Sequence, residues 1–226
     1  MSPLRPSVCG FVALLCAATA CLLADSQTPS ALAPQELAAR IQARYAATRD
    51  FSADFVQTYV GGVLRTRATE RGTVVIKKPG RMRWQYKEPE DKLFVSDGSR
   101  MYYYVPADRQ VIVSRVPDAD QATTAVLFLV GKGDLARDFT ATHTTVGDAP
   151  PGTVAVRLSP KQSERDYDWL TVVVDERSLA FRMLVVGDPQ GGTSTFAFSN
   201  LKENTNPPDS TFAFRMPRGA DVIERF

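Results

Sequence analysis

The chain has 226 residues, of which 44% are hydrophobic and 23% charged, the balance of a globular protein with enough apolar side chains to bury a core. Its formal net charge is +2, so overall charge gives no argument for a nucleic acid or an anionic membrane as partner.

The N-terminus reads as an export signal over residues 1–21. Arg5 precedes an apolar run, residues 8–20, that is too short to cross a bilayer and ends in Ala18-Thr19-Ala20, an A-x-A cleavage pattern. All three cysteines, Cys9, Cys16 and Cys21, fall in or at the edge of this segment. The remainder therefore has no disulfide framework and no thiolate metal site. Two readings stay open at Cys21: simple cleavage of the signal, or lipid attachment to Cys21, which would tether the protein to a membrane.

Residues 22–33 read as a linker, and residues 34–226 as a single domain. Pro34 suits the first position of a helix and Glu36 the first turn, where the helix dipole favours an acid. Leu37, Ile41 and Tyr45 recur at i, i+4 and i+8, with Ala38 beside them, predicting one amphipathic helix over 34–48.

The period then changes to two. Phe51, Ala53, Phe55, Gln57 and Tyr59 share one face of a strand closed by Gly61-Gly62. "RATERGTVVIKK" is the next strand. In "KKPGRMRWQYKEPE" (77–90), Met82, Trp84 and Tyr86 point one way and Arg81, Arg83, Gln85 and Lys87 the other. "DKLFVSDGSRMYYYVP" is two strands about an Asp97-Gly98 turn, and "RQVIVSRV" follows. Further strands are predicted at 138–145, 153–159, 168–175, 180–187, 193–201 and 210–216, separated by "GDAPPG", "DERS", "GDPQGG" and "NTNPPD", each dense in turn formers. The sum is an antiparallel meander of ten to twelve strands. Only residues 118–136 break the rhythm: Val126 to Val130 are wholly apolar and helix-like, either a core helix capping a barrel or a lid.

Catalytic signatures are absent. The lone histidine, His143, sits in a Thr-rich strand, whereas a hydrolytic triad or metal centre needs further partners. No H-E-x-x-H, C-x-x-C, G-x-S-x-G or P-loop occurs. "GKGDLA" has the letters of a dinucleotide loop but follows a helix-like run instead of a strand. Asp166, Asp168 and Asp175 fall in polar turns and strand ends. No enzyme, cofactor or metal is expected. What stands out is apolar payload at alternating positions: Val74 and Ile76; Met82, Trp84 and Tyr86; Leu93 and Val95; Met101 and Tyr103; Phe181 and Met183; Phe196 and Phe198; Phe212 and Phe214. Strands that turn one apolar face each to a common interior make a barrel or half-barrel. Pattern alone leaves a closed core and a ligand cavity equally open.

"FSADFVQTYV", "GTVVIKKPGRMRWQY", "LFVSDGSRMYYYVP" and "STFAFSNLKENTNPPDSTFAFRMPRGADVI" resemble the periplasmic lipoprotein carriers of the LolA family, over about residues 37–223. The most specific parts are the F-x-Q of Phe55 and Gln57, the basic-Pro-Gly-Arg-x-Arg-Trp block, and F-x-F-x-x-P-x-G from Phe212 to Gly219. The resemblance implies a mainly β fold, an unclosed antiparallel barrel with an N-terminal helix and a helical lid over an apolar cavity. It implies a monomeric carrier without enzymatic activity. Its cargo would be lipoproteins released from the inner membrane by an ATP-driven transporter and handed to an outer-membrane acceptor.

Carried over by position, Met82, Trp84, Tyr86, Val74, Ile76, Met101 and Tyr103 would line the cavity. Val126, Leu129 and Val130 would line it from the lid, and Phe55, Leu93, Phe196 and Phe198 join them as candidate contacts for acyl chains. A basic residue before the Pro would bond to the lid backbone as a latch. Here it is Lys78, which lacks the planar fork of an arginine and leaves open a weaker latch or none. The alternatives are a membrane-anchored acceptor of the same fold tethered through Cys21, a hydrolase built on His143, and a nucleic-acid binder using Arg81 and Arg83. The expected export makes the last the poorest fit.

Overall fold

In the computed structural model the described residues are 32–116, 133–164 and 167–225. The expected export signal, Cys21 and the lid residues Val126, Leu129 and Val130 lie outside them. Leu32, within the stretch expected as a linker, packs against the core.

Helix α1 (Pro34–Ala47) starts as the sequence predicts, with Pro34 in the first turn and Glu36 beside it. Among the described residues no side chain caps its N-terminus. The Leu37 N–H donates to the Ala33 carbonyl at 2.9 Å, the first bond of the helix. The helix ends where Thr48 turns extended and its N–H donates to the Tyr45 carbonyl. The buried stripe is Leu37, Ala38, Ile41 and Tyr45.

Among the described residues twelve strands form one sheet: β1 (Asp50–Val60), β2 (Arg67–Lys77), β3 (Arg81–Glu88), β4 (Lys92–Asp97), β5 (Arg100–Val105), β6 (Gln110–Arg115), β7 (Phe139–His143), β8 (Thr153–Pro160), β9 (Trp169–Asp175), β10 (Phe181–Gly187), β11 (Thr193–Glu203) and β12 (Asp221–Arg225). A short helix, α2 (Leu135–Asp138), precedes β7, its Asp134 cap accepting from the N–H groups of Ala136 and Arg137. The spatial order is β12-β6-β5-β4-β3-β2-β1-β11-β10-β9-β8-β7. The expected mainly β, unclosed sheet is borne out, with two corrections. The strands are two meanders, not one: β1 turns away from β6 to pair with β11. Residues 210–216 are not a strand; Asp209–Phe212 is a 3-10 turn, and the last strand is β12, parallel to β6.

The concave face holds the main core. The stripe of α1 meets Phe51, Ala53, Val74 and Ile76 from β1 and β2, Val156, Leu158, Leu170, Val172 and Val174 from β8 and β9, and Leu135 and Phe139 around α2. Tyr45 packs edge-on to Phe181 at 5.0 Å between ring centres. Fully burying a side chain such as Ile76 contributes about 1.5–3 kcal/mol.

The convex face of β3–β5 is covered too. The 3-10 turn packs on β3 and β4, and Phe214 stacks on Tyr102 with ring centres 4.8 Å apart. Lys77 and Arg81 both pair with Asp209, at 2.9 and 3.0 Å, and hold this segment down. The buried Asp50 anchors the turn before it, accepting from Thr205 N–H at 2.7 Å and Asn206 N–H at 3.1 Å.

Candidate functional site

Register across neighbouring strands sets the site. Across β2, β3 and β4, Val74 faces Trp84 and Trp84 faces Phe94; Tyr103 of β5 lies opposite Phe94. On the other side of β1, Gln57 faces Phe196, which faces Leu184 of β10. Partners opposite one another in a ladder project from the same face. These side chains therefore converge on the concave side, beyond the part that α1 fills.

A cavity of about 290 Å³ lies between them, lined by Gln57, Glu70, Met82, Trp84, Tyr86, Lys92, Phe94, Tyr103, Leu184, Val186 and Phe196. Its floor is aromatic. Trp84 meets Phe55 edge-on at 5.0 Å and Phe196 at 5.6 Å, and Tyr86 meets Phe55 at 4.9 Å. Such edge-on pairs hold rings in fixed poses, each worth about 0.5–1.5 kcal/mol beyond area burial. Trp84 is only 8% exposed, so the floor is shielded from water.

The polar groups gather at one end. The Tyr86 hydroxyl donates to Gln57 Oε1 at 2.9 Å. Lys92 donates to the Glu70 carboxylate, with side chains 24% and 22% exposed. That bond holds the ammonium's pKa above its ordinary value against the opposing effect of burial. Burial pushes the Tyr86 phenol up, with the Glu70 charge adding to it, so Tyr86 remains a neutral donor at any physiological pH. Glu70 and Gln57 lie opposite each other on β2 and β1, the pairing that leads toward the turn between those strands.

A bulge shapes this end. Between Arg71 and Gly72 the β2–β3 register slips, so Arg71 lies opposite Glu88 and Gly72 opposite Tyr86. A Cβ on Gly72 would sit 2.0 Å from the Gln85 carbonyl oxygen, so only glycine permits this close passage.

Of the residues expected to line the cavity, Met82, Trp84, Tyr86, Tyr103 and Phe196 do so. Phe55 and Phe198 lie behind Trp84 as its packing partners. Val74 and Ile76 are on the right face but sealed within the core. Met101 shares a row with Ser96, half-buried and outside the lining. Leu93 is a correction: it lies opposite Gln85, so it belongs to the convex face, and Phe94 takes the place expected of it. Phe181 and Met183 also part company, because a bulge between them turns Phe181 inward and Met183 outward.

Sequence reasoning missed Phe94, Leu184, Val186, Glu70 and Lys92, and placed Gln57 on a strand face and in the F-x-Q motif without naming it as a lining residue. Runs such as Leu93-Phe94-Val95 and Met183 to Val186 are apolar at every position, which erases the parity signal. Glu70 and Lys92 stand 22 residues apart, and no local pattern marks them as a pair.

Lys78 donates to the Tyr45 carbonyl at the end of α1 and stands 3.9 Å above the Tyr45 ring. Burial lowers its pKa to about 8, partly offset by the Glu203 charge. Gly133, the first described residue after 117–132, lines a groove together with Tyr45 and Lys78. The lid backbone that a latch would hold lies outside the described residues. Burial instead pushes the Tyr45 hydroxyl far up, with the Glu203 charge adding to it. Among the described residues no group of three or more His, Cys, Asp or Glu is placed to hold a metal ion.

An open sheet around a shielded apolar hollow with one polar end is the frame of a binding protein for apolar ligands. The family profile described as outer membrane lipoprotein carrier protein LolA matches residues 46–215, and the chain belongs to that family. An outer-membrane lipoprotein carrier protein of Dechloromonas aromatica is 31% identical over 78% of this chain and 82% of its own length. One from Cupriavidus pinatubonensis is 27% identical over 93% of this chain and 96% of its own. Among solved structures, an uncharacterized conserved protein from Thermus thermophilus shares the fold, with a TM-score of 0.53 and 14% identity over 84% of this chain and 98% of that one.

Proposed function

We propose that this protein is a periplasmic carrier that shields the acyl chains of lipoproteins between the inner membrane and the outer membrane. The observation that carries this reading is the 290 Å³ cavity with its aromatic floor and single polar end. Hydrocarbon fits the floor; the ester and amide groups next to it fit Gln57, Tyr86, Glu70 and Lys92.

Each methylene moved from water into such a site gains about 0.8 kcal/mol, so a protein carrying several acyl chains does not cross water unaided. A carrier must bind the chains and also let them go. A preformed hollow does both: no core has to be torn open for loading, and incomplete filling keeps release within reach. At 290 Å³ the cavity is at the low end of ligand sites, about 300–1,000 Å³, and takes part of one chain. Cargo with several chains requires it to widen, and an open sheet has no closing hydrogen bonds to oppose that. Direction then comes from partners: a transporter in the inner membrane that loads and an acceptor at the outer membrane that binds more tightly.

The test is binding of a fluorescent fatty-acid probe to the purified protein, together with mass spectrometry of protein drawn from its native periplasm. Saturable probe binding, at least tenfold weaker in Trp84→Glu, and lipoprotein cargo in the native sample are expected. A wild-type protein that takes up no apolar probe overturns the reading.

A further inference from the structure

The turn between β1 and β2 carries the two most exposed large apolar side chains among the described residues. Val63 is 86% exposed and Leu64 is 82% exposed. A lone exposed aliphatic is ordinary, whereas an adjacent pair at the apex of a turn places both outside any core.

The turn is a built feature. The Gly61 N–H donates to the Thr66 carbonyl at 2.8 Å and closes the loop below the apex. Arg65 turns the chain with a φ of +50°. A Cβ on Gly62 would sit 2.1 Å from the Gln190 carbonyl oxygen, so the loop backbone rests directly on the turn between β10 and β11. That second turn is itself braced, Asp188 accepting from Gln190 N–H at 2.8 Å and Gly192 N–H at 2.9 Å. Two turns in contact hold Val63 and Leu64 outward.

The charges around the apex have one sign. Arg65 and Arg67 are exposed, and neither forms an ion pair among the described residues. Nearby acids are engaged: Glu70 with Lys92, Glu88 with Arg71, and Asp188 with its own turn and the Tyr59 hydroxyl. The net charge of +2 exerts little pull over the whole chain, but here two unpaired guanidiniums follow directly on two exposed aliphatics. The same hairpin leads back to Gln57 and Glu70, the polar end of the cavity.

We infer that this hairpin tip docks on a bilayer with anionic headgroups. Val63 and Leu64 enter the boundary between headgroups and acyl chains, Arg65 and Arg67 bind phosphates, and Tyr59, 36% exposed, comes to headgroup level. Docking by the tip brings the polar end of the cavity toward the membrane. A receptor protein that grips the same tip is the competing occupant, and protein-free vesicles separate the two.

The experiment is flotation of the purified protein with vesicles of phosphatidylcholine alone or with one third phosphatidylglycerol. The wild type is expected to float with the anionic vesicles, at least tenfold more than with neutral ones, and to lose most of that at 1 M salt, where the Debye length falls to about 3 Å. Val63→Ser with Leu64→Ser is expected to lose flotation at least tenfold while keeping wild-type binding of the fatty-acid probe. Arg65→Gln with Arg67→Gln removes the anionic preference and serves as an independent arm if the serine pair misfolds. A wild type that stays with the bulk solution, or variants that float like wild type, overturns the docking. Probe binding is scored separately, so failure of the tip and failure of the cavity are told apart.

Discussion

The concave face of the sheet has two halves built from the same kinds of residue. In one, Phe51, Val74, Ile76, Val156 and Val172 are sealed by Leu37, Ala38, Ile41 and Tyr45 of α1. In the other, Trp84, Phe94, Tyr103, Leu184 and Phe196 surround 290 Å³ of space. Strand patterning does not distinguish them; both are apolar and regular. The difference is the plug. A 14-residue helix covers one half of a sheet of twelve strands and does not reach the other. A curved sheet wider than its helix keeps a hollow without any defect in its strands.

The two halves differ most in what they contribute to stability. Ile41→Ala opens a void in the sealed half, and a loss of about 2–5 kcal/mol is expected, read by urea unfolding, with probe binding by the folded fraction unchanged. An equal loss of stability and of binding would mean that the halves are one unit.

Filling the hollow half is the converse. Val186 lines the cavity and is half-buried, so Val186→Trp adds a ring where space exists. Probe affinity should fall tenfold or more, which is about 1.4 kcal/mol, while the unfolding midpoint hardly moves. A large drop in stability would show that the cavity cannot accept extra volume.

The polar end predicts less. Glu70→Gln removes the partner of Lys92, and a partly exposed ion pair of this kind contributes about 0–1 kcal/mol. Stability should barely change, and probes with a polar head should lose more affinity than plain hydrocarbons. Equal losses for both would assign Glu70 a purely structural part.

The smallest effect concerns pH. The pKa of Lys78 is lowered in the folded protein to about 8, so between there and the ordinary lysine value the unfolded chain holds more protons. Stability contributed by this group therefore rises with pH across that window and is lost as pH falls through 8. Lys78→Met should flatten that rise in unfolding curves taken at several pH values. An unchanged slope would place the titration elsewhere.

The helix was fully legible: a stripe at i, i+1, i+4 and i+8 needs one buried side, and α1 has one. So was the parity of β3, because arginines alternate with Met82, Trp84 and Tyr86 and only one face can hold each set. Parity failed at Leu93. There Leu93, Phe94 and Val95 are all apolar because the C-terminal segment, with Phe214 on Tyr102, shields the outer face as well. It failed again at Met183, where a bulge that leaves no mark in composition reverses the alternation. Glu70 and Lys92 were illegible for another reason. Their pairing joins residues 22 apart, and nothing local signals it.

The order of residues by itself determined the helix, most of the strand runs and the face each clean strand turns inward, since these follow from backbone periods of 3.6 and 2. It also carried the family likeness. Only the tertiary structure decided that β1 joins β11, that Phe94 and not Leu93 faces the ligand side, and where the interior stays hollow. Those outcomes depend on which distant segments cover which face, and burial is a property of the assembled sheet and the segments packed on it, not of any stretch of chain.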